Sequence, residues 1–322
     1  MVYNQICCML YVTSYKVQDS MKLGYTKPLY ILPFDHRASF LKKMFGIENR
    51  QPTDQETKTV ADFKAVIYEG FKLAVDNGSV PKEYAAILID EQFGDAIITD
   101  AVRSGYTVCL ATEKSGQDEF DFEYGEQFAV HIDKYKPKIV KALVRYNPED
   151  DPALNARQRE KLKQLSDFCH GNGYKFIIEP LIPATPKQLA SVGNDEKRYD
   201  HEIRPALAVA MVEQLQTGGV EPDIWKIEGL AAAADYQAII KQIKSGGRDK
   251  ASVIILGRGA DDGQVEAWLK AGSGVEGVIG FAVGRTIFWQ ALVEYKEGNL
   301  SREQAVEQIA KKYIHFYDVF TS

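Results

Sequence analysis

Short apolar runs alternate along the chain with longer segments in which apolar residues recur at helical spacing. The runs are rich in Val, Ile and Leu, which is typical of strands, and they predict eight strands at residues 29–34, 85–89, 107–111, 139–144, 176–178, 224–227, 252–256 and 277–281. The segments between and after them predict helices at 54–77, 94–104, 125–134, 156–172, 201–218, 233–245, 262–271 and 302–317.

This alternation determines the fold class. Strands that alternate with helices form a parallel sheet, and strands that are apolar throughout are covered on both faces. Eight such units predict an α/β fold of the (β/α)8 TIM barrel type, a single domain spanning residues 21–322. Residues 1–20 do not fit the pattern and lack the basic start and small-residue cleavage site of a signal peptide, so we expect a poorly ordered N-terminal extension.

Composition limits the class of partner. The chain has 322 residues, of which 45% are hydrophobic and 26% charged, and its formal net charge is −6. This mild acidity argues against nucleic acid or an anionic membrane as a partner, and no run approaches the roughly 18 apolar residues of a membrane span. The four cysteines lack metal-type spacing, which favours reduced thiols in a cytoplasmic protein: Cys7, Cys8, Cys109 and Cys169.

Polar residues stand at the ends of all eight predicted strands. In a barrel these ends meet on the C-terminal face, where the βα loops build the active site. In chain order they are Asp35, His36, Arg37; Asp90, Glu91; Glu113, Lys114; Arg145, Asn147; Glu179; Lys226, Glu228; Arg258; and Arg285. The sequence therefore predicts one site to which every strand contributes.

Lys226 is the most informative of these residues, because it lies inside an apolar run. Side chains alternate along a strand, so Trp225 and Ile227 point one way while Lys226 and Glu228 point the other. Burial disfavours the charged form of a lysine, as is needed for an amine that attacks a carbonyl and forms a Schiff base. A lysine paired with Glu228, or one at the wet end of a strand, would give the same pattern.

The loops after the seventh and eighth predicted strands have features of a phosphate site. Arg258 lies between Gly257 and Gly259, and Gly284 and Arg285 come just before a helical segment that begins near residue 287. Glycine lets the backbone approach an anion, a helix N-terminus offers free N–H groups, and these two loops form the usual phosphate site of a barrel. A sugar-phosphate ligand is therefore favoured over tight turns with surface arginines.

The sequence gives little support for a metal or a nucleotide cofactor. Catalytic zinc takes three protein ligands, commonly histidines, and only His36 is at a strand end. The remaining histidines fall in predicted helices or their caps: His131, His170, His201 and His315. The chain has no G-x-x-x-x-G-K-S/T nucleotide motif and no G-x-G-x-x-G dinucleotide motif after the first strand. A magnesium site stays open without diagnostic spacing, drawn from Asp35, Asp90, Glu91 and Glu179.

Several stretches together resemble a known family. They are PLYILPFDHRASFLKKMFG (28–46), ILIDEQFG (87–94), VKALVRYNP (140–148), IIEPLIP (177–183), DIWKIEG (223–229), ILGRGAD (255–261) and GFAVGRTIFWQAL (280–292), with the Glu113-Lys114 pair. These stretches resemble the DUF2090 family, a domain also found fused to a sugar kinase of inositol catabolism and assigned there as a 2-deoxy-5-keto-gluconate 6-phosphate aldolase. More distantly, the chain is similar to class I tagatose 1,6-bisphosphate aldolases.

The resemblance implies roles for the three catalytic candidates. Lys226 matches the Schiff-base lysine on strand six, Glu179 a strand-five glutamate that is a candidate proton shuttle, and Asp35 a strand-one aspartate. Lys141 matches a strand-four lysine near the bound phosphate or the nucleophile. Strand parity alone admits Glu179, Asp35 or Glu228 as the base.

The substrate-binding candidates follow in the same way. The phosphate would be held by Arg258, Gly259, Gly284 and Arg285, while Arg145 or Arg37 would hold a carboxylate by a bidentate pair. Lys141 shares the inward face with Arg145, as Glu228 does with Lys226. The Gly-Arg-Gly sequence after strand seven replaces small residues such as Ser and Gly in the bisphosphate aldolases, which argues against a strict tagatose-bisphosphate substrate.

We therefore expect a class I aldolase that needs no cofactor beyond its own lysine. Its substrate would be a small phosphorylated sugar: 2-deoxy-5-keto-gluconate 6-phosphate, cleaved to dihydroxyacetone phosphate and malonate semialdehyde, or a tagatose-bisphosphate-like sugar. The alternatives are a metal-assisted lyase or isomerase and a non-catalytic sugar-phosphate-binding barrel. The aromatic residues of the last helix either pack on the outer ring or form a homo-oligomer contact: Tyr313, Phe316, Tyr317 and Phe320.

Overall fold

The computed structural model describes residues 23–322, and its centre is a closed barrel of eight parallel strands that pair in chain order. The predicted TIM barrel is confirmed. The strands are β1 (Leu29–Pro33), β2 (Ala85–Ile89), β3 (Thr107–Ala111), β4 (Ile139–Arg145), β5 (Lys175–Leu181), β6 (Ile224–Glu228), β7 (Ser252–Leu256) and β8 (Val278–Ala282). The predicted extension, at 1–20, lies outside the described residues.

One long helix follows each strand, and a ninth ends the chain. They are α1 (Asp54–Asp76), α2 (Glu91–Arg103), α3 (Phe128–Tyr135), α4 (Pro152–Gly171), α5 (Arg204–Thr217), α6 (Ala233–Ile243), α7 (Asp262–Gly272), α8 (Arg285–Lys296) and α9 (Arg302–Thr321). Short helical turns precede α1 (Ala38–Phe40, Leu41–Phe45), α3 (Gly125–Gln127) and α5 (Pro186–Ser191, Glu196–Arg198, Tyr199–Ile203), and one follows α6 (Ser245–Gly247). No helix in this part of the chain is long and apolar enough to cross a membrane.

The helix starts differ from the sequence prediction where a capping residue acts. The side chain of Asp90 accepts a hydrogen bond from the Phe93 amide, so α2 begins at Glu91, three residues earlier than predicted. The side chain of Asp151 similarly caps α4, whose first residue is Pro152. In both cases the cap lies outside the apolar periodicity on which the prediction rested.

Alternation along the strands separates two apolar clusters. The inner cluster fills the barrel and includes Ile139, Ile177 and Ile224. The outer cluster lies between the barrel and its helices and includes Trp225 and Ile227. Because a strand turns successive side chains to opposite faces, the residues two positions after the inner-cluster members also face inward. The side chains of residues 141, 179 and 226 therefore point into the barrel, above the apolar inner cluster.

The aromatic residues of α9 pack against the outside of the barrel. The hydroxyl of Tyr313 donates to the carbonyl oxygen of Tyr30 at 2.7 Å, and the rings of Tyr317 and Phe320 lie 5.0 and 6.0 Å from that of Tyr30. Phe316 is fully buried. This arrangement is the outer-ring packing that the sequence offered as one of two alternatives for these residues.

Asp223, just before β6, organises the N-terminal end of the barrel. Its fully buried carboxylate accepts hydrogen bonds from the amides of Gly24 and Phe176 at 2.7 and 2.8 Å. It also pairs with Lys175 at 2.9 Å and contacts His170 at 3.3 Å. One carboxylate thus joins the start of the described chain, β5 and α4 at the end opposite the predicted site.

Candidate active site

A cavity of about 480 Å³ opens on the C-terminal face of the barrel. The strand ends and loops of β1 and β3 to β8 line it. The eleven residues to which the sequence analysis gave a catalytic or substrate-binding role all lie on its wall: Asp35, Arg37, Lys141, Arg145, Glu179, Lys226, Glu228, Arg258, Gly259, Gly284 and Arg285. The barrel therefore brings the predicted residues together, although their roles remain predictions.

Lys141 is the centre of a buried network of charges. Its Nζ lies 2.7 Å from Asp35 Oδ2, 2.7 Å from Glu113 Oε1 and 3.0 Å from Glu179 Oε2. Glu113 accepts a further hydrogen bond from the Leu143 amide at 3.2 Å. An ammonium group has three donors, and here each has a carboxylate acceptor.

Lys226 joins the same network through one carboxylate. Its Nζ lies 2.9 Å from Glu179 Oε2, the atom that also contacts Lys141, and its side chain is 2% exposed. The pairing with Glu228 considered from the sequence is wrong, because Glu228 pairs instead with Arg258 at 3.0 Å. Lys226 is thus an inward-facing lysine that shares a single carboxylate oxygen with its neighbour.

The network shifts the pKa values of its members in opposite directions. Burial favours the neutral form of a carboxylic acid, but the charges of Lys141 and Lys226 outweigh it and hold the pKa of Asp35 and of Glu179 below the ordinary range. Burial alone would lower the pKa of Lys141, yet the carboxylates of Asp35, Glu113 and Glu179 raise it well above the usual value. Lys141 is therefore a permanent cation beside two ionised carboxylates.

Arg285 begins α8 and lies over the loop that follows β7. Its Nη2 donates to the carbonyl oxygen of Arg258 at 2.8 Å, and the structure shows no carboxylate paired with it among residues 23–322. Gly259 has a φ of +73°, and a Cβ at this position would lie 2.8 Å from the Arg285 guanidinium. The glycine therefore makes room for the arginine beside the helix N-terminus at Gly284.

Arg258, the other predicted phosphate ligand, already has two partners. Its Nη1 lies 2.7 Å from Asp200 Oδ2 and its Nε 3.0 Å from Glu228 Oε1. Glu228 Oε2 accepts from the Ile182 amide at 3.0 Å, and burial raises the pKa of this carboxyl group. Within the described chain, Arg258 thus has two close carboxylate partners, whereas Arg285 has none within ion-pair distance.

The two arginines considered for a substrate carboxylate also differ in how many of their donors already have partners in the protein. Arg37 is 4% exposed, and its guanidinium binds Glu123 Oε2 at 2.7 Å and the carbonyl oxygen of Glu113 at 2.5 Å. Arg145 is half-buried and donates to the carbonyl oxygen of Gln117 at 2.6 Å. Arg145 keeps more of its donors for a ligand, whereas Arg37 stabilises the loop after β3.

His36 lies on the cavity wall between Asp35 and Arg37. Burial, reinforced by the charges of Arg285 and Lys226, lowers the pKa of its imidazole to about 4. Its Nδ1 is buried and has no hydrogen-bond partner in the structure. The cavity therefore contains a neutral imidazole at neutral pH.

Three strand-end residues expected in the site are turned away from it. Asp90 pairs with the buried Lys64 of α1 and caps α2, and Glu91 pairs with His131 at 2.6 Å. Both follow a strand directly, but the cap of α2 draws them toward the helices. The magnesium site considered from the sequence is therefore wrong, because Asp90 and Glu91 do not join Asp35 and Glu179 at the cavity. Among the described residues, no His, Cys, Asp and Glu side chains form a group of three or more that could hold a metal ion.

Asn147 is the third of these residues. Its side-chain amide donates to the carbonyl oxygen of Pro183 at 2.8 Å and to Gln188 Oε1 at 2.7 Å. It links the loops after β4 and β5 and does not line the cavity. Its role is to hold the loops together, since a buried amide with two acceptors is already satisfied.

Glu113 is the main residue that the predicted site omitted. The sequence places it at a strand end, and its position two residues after Ala111, an inner-cluster residue, indicates an inward direction. Glu123 and Asp200 were not indicated at all, because they reach the arginines from loops and short turns whose course has no periodic signal. The strand-borne half of the site was therefore predictable, and the loop-borne half was not.

Solved structures similar to this chain include one aldolase. Fructose-bisphosphate aldolase from Plasmodium falciparum matches with a TM-score of 0.64 and 12% identity, covering 94% of this chain and 93% of that one. A structural-genomics target from Corynebacterium glutamicum matches with a TM-score of 0.54 and 14% identity, covering 92% and 91%. At such identities these matches establish the shared barrel fold.

Sequence relatives carry the comparison further. Tagatose 1,6-diphosphate aldolases from Listeria monocytogenes and Listeria innocua are 24% identical to this chain over 226 residues. The aligned part is 68% of this chain and 61% of the length of those relatives. The protein is thus aldolase-like in sequence and fold. A family model described as "Uncharacterized protein conserved in bacteria (DUF2090)" matches residues 18–322, and the chain therefore belongs to the DUF2090 family.

Proposed function

We propose that this protein is a class I aldolase that cleaves a phosphorylated keto sugar through a Schiff base on Lys226. The observation that carries the proposal is the position of Lys226 Nζ: inside the barrel, 2.9 Å from one carboxylate oxygen, on the wall of a cavity that also contains Arg285. The relatives named as tagatose 1,6-diphosphate aldolases support the reaction class.

The proposal assigns the nucleophile to Lys226 and not to Lys141. An amine must lose its proton before it can attack a carbonyl. Three carboxylates hold the pKa of Lys141 well above its ordinary value, so Lys141 stays charged. Lys226 has one ion-pair partner among the described residues, Glu179, and this partner can accept its proton. Lys141 then acts as a fixed cation that keeps Asp35 and Glu179 ionised.

The reaction follows from this assignment. The neutral amine of Lys226 adds to the ketone of the substrate, and loss of water gives a protonated imine. A carboxylate removes the proton of the hydroxyl group two carbons away, and the bond between the intervening carbon and the carbinol carbon breaks. Its electron pair moves into the imine, which becomes an enamine as an aldehyde leaves. Protonation of the enamine carbon and hydrolysis of the imine release the ketone product and restore the lysine.

Glu179 is the first candidate for the proton transfers and Asp35 the second. Glu179 Oε2 contacts both lysines, so it can take the proton from Lys226 while Lys141 stabilises its charge. Asp35 follows β1, across the barrel from Glu179 on β5. It lies 2.7 Å from Lys141, and the charge of Lys141 holds it ionised as well. Glu228 is the weakest candidate, because Arg258 and the Ile182 amide already bind its two oxygens.

The proposed substrate is 2-deoxy-5-keto-gluconate 6-phosphate, with a tagatose-bisphosphate-like sugar as the second choice. Arg285 and the loop amides around Gly259 and Gly284 would bind the phosphate, and Arg145 the carboxylate. Cleavage would give dihydroxyacetone phosphate and malonate semialdehyde. Arg285 follows β8 and Arg145 ends β4, on the opposite side of the barrel, so the two arginines suit a substrate with an anion at each end.

Borohydride reduction in the presence of dihydroxyacetone phosphate tests the proposal. We expect a stable adduct that peptide mass mapping places on Lys226, and no adduct in Lys226→Met. Lys187→Met, at an exposed residue that does not line the cavity, should trap the ligand like the wild type. An adduct on Lys141, or no adduct with an activity that a chelator abolishes, would contradict the assignment.

A further inference from the structure

A second cavity, of about 500 Å³, adjoins the proposed active site. It lies beneath the loops after β1 and β3, and it shares six wall residues with the first cavity: Arg37, Ala38, Ser39, Lys114, Ser115 and Gln117. The amide of Ala38 donates to Ser115 Oγ at 3.1 Å, and with the contacts of Arg37 this hydrogen bond joins the two loops where the cavities meet. The second cavity is therefore an extension of the site and not a separate feature of the surface.

The second cavity opens from the first between the loops after β1 and β3. Residues 37–51, after β1, supply most of its wall, and the loop after β3 supplies Lys114, Ser115, Gln117 and Glu123. In the closed ring, β1 is paired with β8, which precedes Arg285, whereas β3 lies opposite β7. A substrate that has its phosphate at Arg285 and extends across the barrel mouth toward Lys114 therefore reaches the second cavity.

The charges of this cavity leave one cation for a ligand. Lys42 pairs with Glu48 at 2.6 Å, Arg50 with Glu56 at 2.7 Å, and Arg37 with Glu123 at 2.7 Å. Lys114 lines both cavities, and no carboxylate pairs with its side chain in the part of the chain described. The charge of Lys114 helps to lower the pKa of Asp121, but it forms no close ion pair, and a lysine so placed between two cavities is suited to an anionic group of the ligand.

The remaining wall is uncharged and combines apolar side chains, such as Leu41 and Ile47, with polar ones. Ser39, Gln51, Gln92, Ser115 and Gln117 supply hydroxyl and amide groups, which can both donate and accept hydrogen bonds. Such groups suit the hydroxyls of a sugar chain. The first cavity alone already falls within the usual range of about 300–1,000 Å³ for a small-molecule site, so a six-carbon sugar phosphate does not need the second.

We propose that the second cavity binds the aldehyde-derived end of the substrate, and that the enzyme accepts polyhydroxylated fragments longer than malonate semialdehyde that end in an anion bound by Lys114. The inference rests on the proposed aldolase function and extends its substrate class. In the condensation direction, the enamine carbon would attack the aldehyde carbon, and the aldehyde oxygen would gain a proton to become a hydroxyl. The rest of the aldehyde would lie in the second cavity.

Condensation of dihydroxyacetone phosphate with a series of aldehydes tests this inference. We expect the wild type to use erythrose 4-phosphate at least about tenfold better in kcat/KM than unphosphorylated erythrose, which is the scale of one charge-assisted contact. Lys114→Met should remove most of that ratio, and Lys114→Arg should restore it. Lys187→Met, which removes an exposed lysine outside both cavities, should leave the ratio as in the wild type.

A second variant tests whether the volume of the second cavity matters, independently of the charge of Lys114. Gln92 is exposed at the start of α2 and lines the second cavity alone, so Gln92→Phe should reduce the rate with erythrose 4-phosphate relative to malonate semialdehyde. Equal ratios in the wild type, Lys114→Met and Gln92→Phe would overturn the inference, as would a wild type that accepts only aldehydes of two or three carbons. A borohydride adduct on Lys226 in the same preparations would show that the aldolase proposal survives such a result.

Discussion

Each end of this barrel contains a buried carboxylate beside a lysine, but the two carboxylates differ in their other partners. At the N-terminal end, Asp223 accepts from the backbone amides of Gly24 and Phe176 as well as from Lys175. At the C-terminal end, Glu179 contacts the ammonium groups of two buried lysines, Lys141 and Lys226. In both places the interactions hold the carboxyl pKa below its ordinary value against the effect of burial.

The two carboxylates differ in how protonation would affect their hydrogen-bond partners. The amides bound to Asp223 belong to chain segments that the carboxylate holds together, so neutralising it would leave buried donors unpaired. The partners of Glu179 are ammonium groups, one of which can itself become neutral by passing a proton to it. A low carboxyl pKa is thus compatible with a structural role at one end and a proton-transfer role at the other.

The largest effect that this comparison predicts is in Lys226→Met. We expect kcat for aldol cleavage to fall by about 10⁴-fold or more, because the covalent pathway is lost with the amine. Glu179 keeps its contact with Lys141, so the melting temperature should change little. Steady-state kinetics and thermal unfolding measured on the same preparation check both points. If the melting temperature falls as strongly as the activity, Lys226 is a structural residue like Lys175.

The converse substitution is Asp223→Asn at the other end. The amide side chain keeps one acceptor and introduces donors where backbone donors already point, so the free energy of unfolding should fall by about 2–3 kcal/mol. Because the cavity lies at the opposite end of the barrel, kcat/KM should stay within about twofold of the wild type when the variant is assayed well below its melting temperature. Urea unfolding gives the first quantity, and a large loss of kcat in folded protein would remove the distinction between the two ends.

Arg285 and Arg258 allow a sharper test within the C-terminal end. Arg285→Met removes a cation that has no carboxylate partner among the described residues, so we expect KM for the phosphorylated substrate to rise by about 10- to 100-fold. Arg258→Met removes a cation that Asp200 and Glu228 already neutralise, and KM should rise less. Its larger effect should be on stability, since it leaves the buried Glu228 without its partner. The opposite ranking of the two KM values would show that Arg258 leaves its carboxylates to bind the phosphate.

The predictable part of the molecule is the part governed by strand periodicity. Alternation at Lys226 and Glu179 placed both side chains inside the barrel, and the eight-fold repeat gave the fold, because both follow from the two faces of a strand. The partners of Arg37 and Arg258 were not predictable, because Glu123 and Asp200 come from loops. The turn of Asp90 and Glu91 away from the cavity was missed for a related reason: capping α2 and pairing with Lys64 compete with the direction set by the strand.

The smallest predicted effect concerns His36, whose neighbours belong to the C-terminal end alone. Its pKa is lowered to about 4 in the folded protein from an ordinary value of 6.5, so the unfolded chain binds a proton more readily. The stability that this neutral imidazole contributes is present above pH 6.5 and is lost as the pH falls from 6.5 toward 4. In His36→Asn, the decrease in melting temperature over this window should therefore be shallower than in the wild type. His201→Asn, which removes an exposed histidine outside the cavity, is the control. Equal slopes in His36→Asn and the wild type would mean that His36 is already solvated in the folded protein. A shallower slope would show that the cavity keeps the His36 imidazole neutral at pH values at which the unfolded chain protonates it.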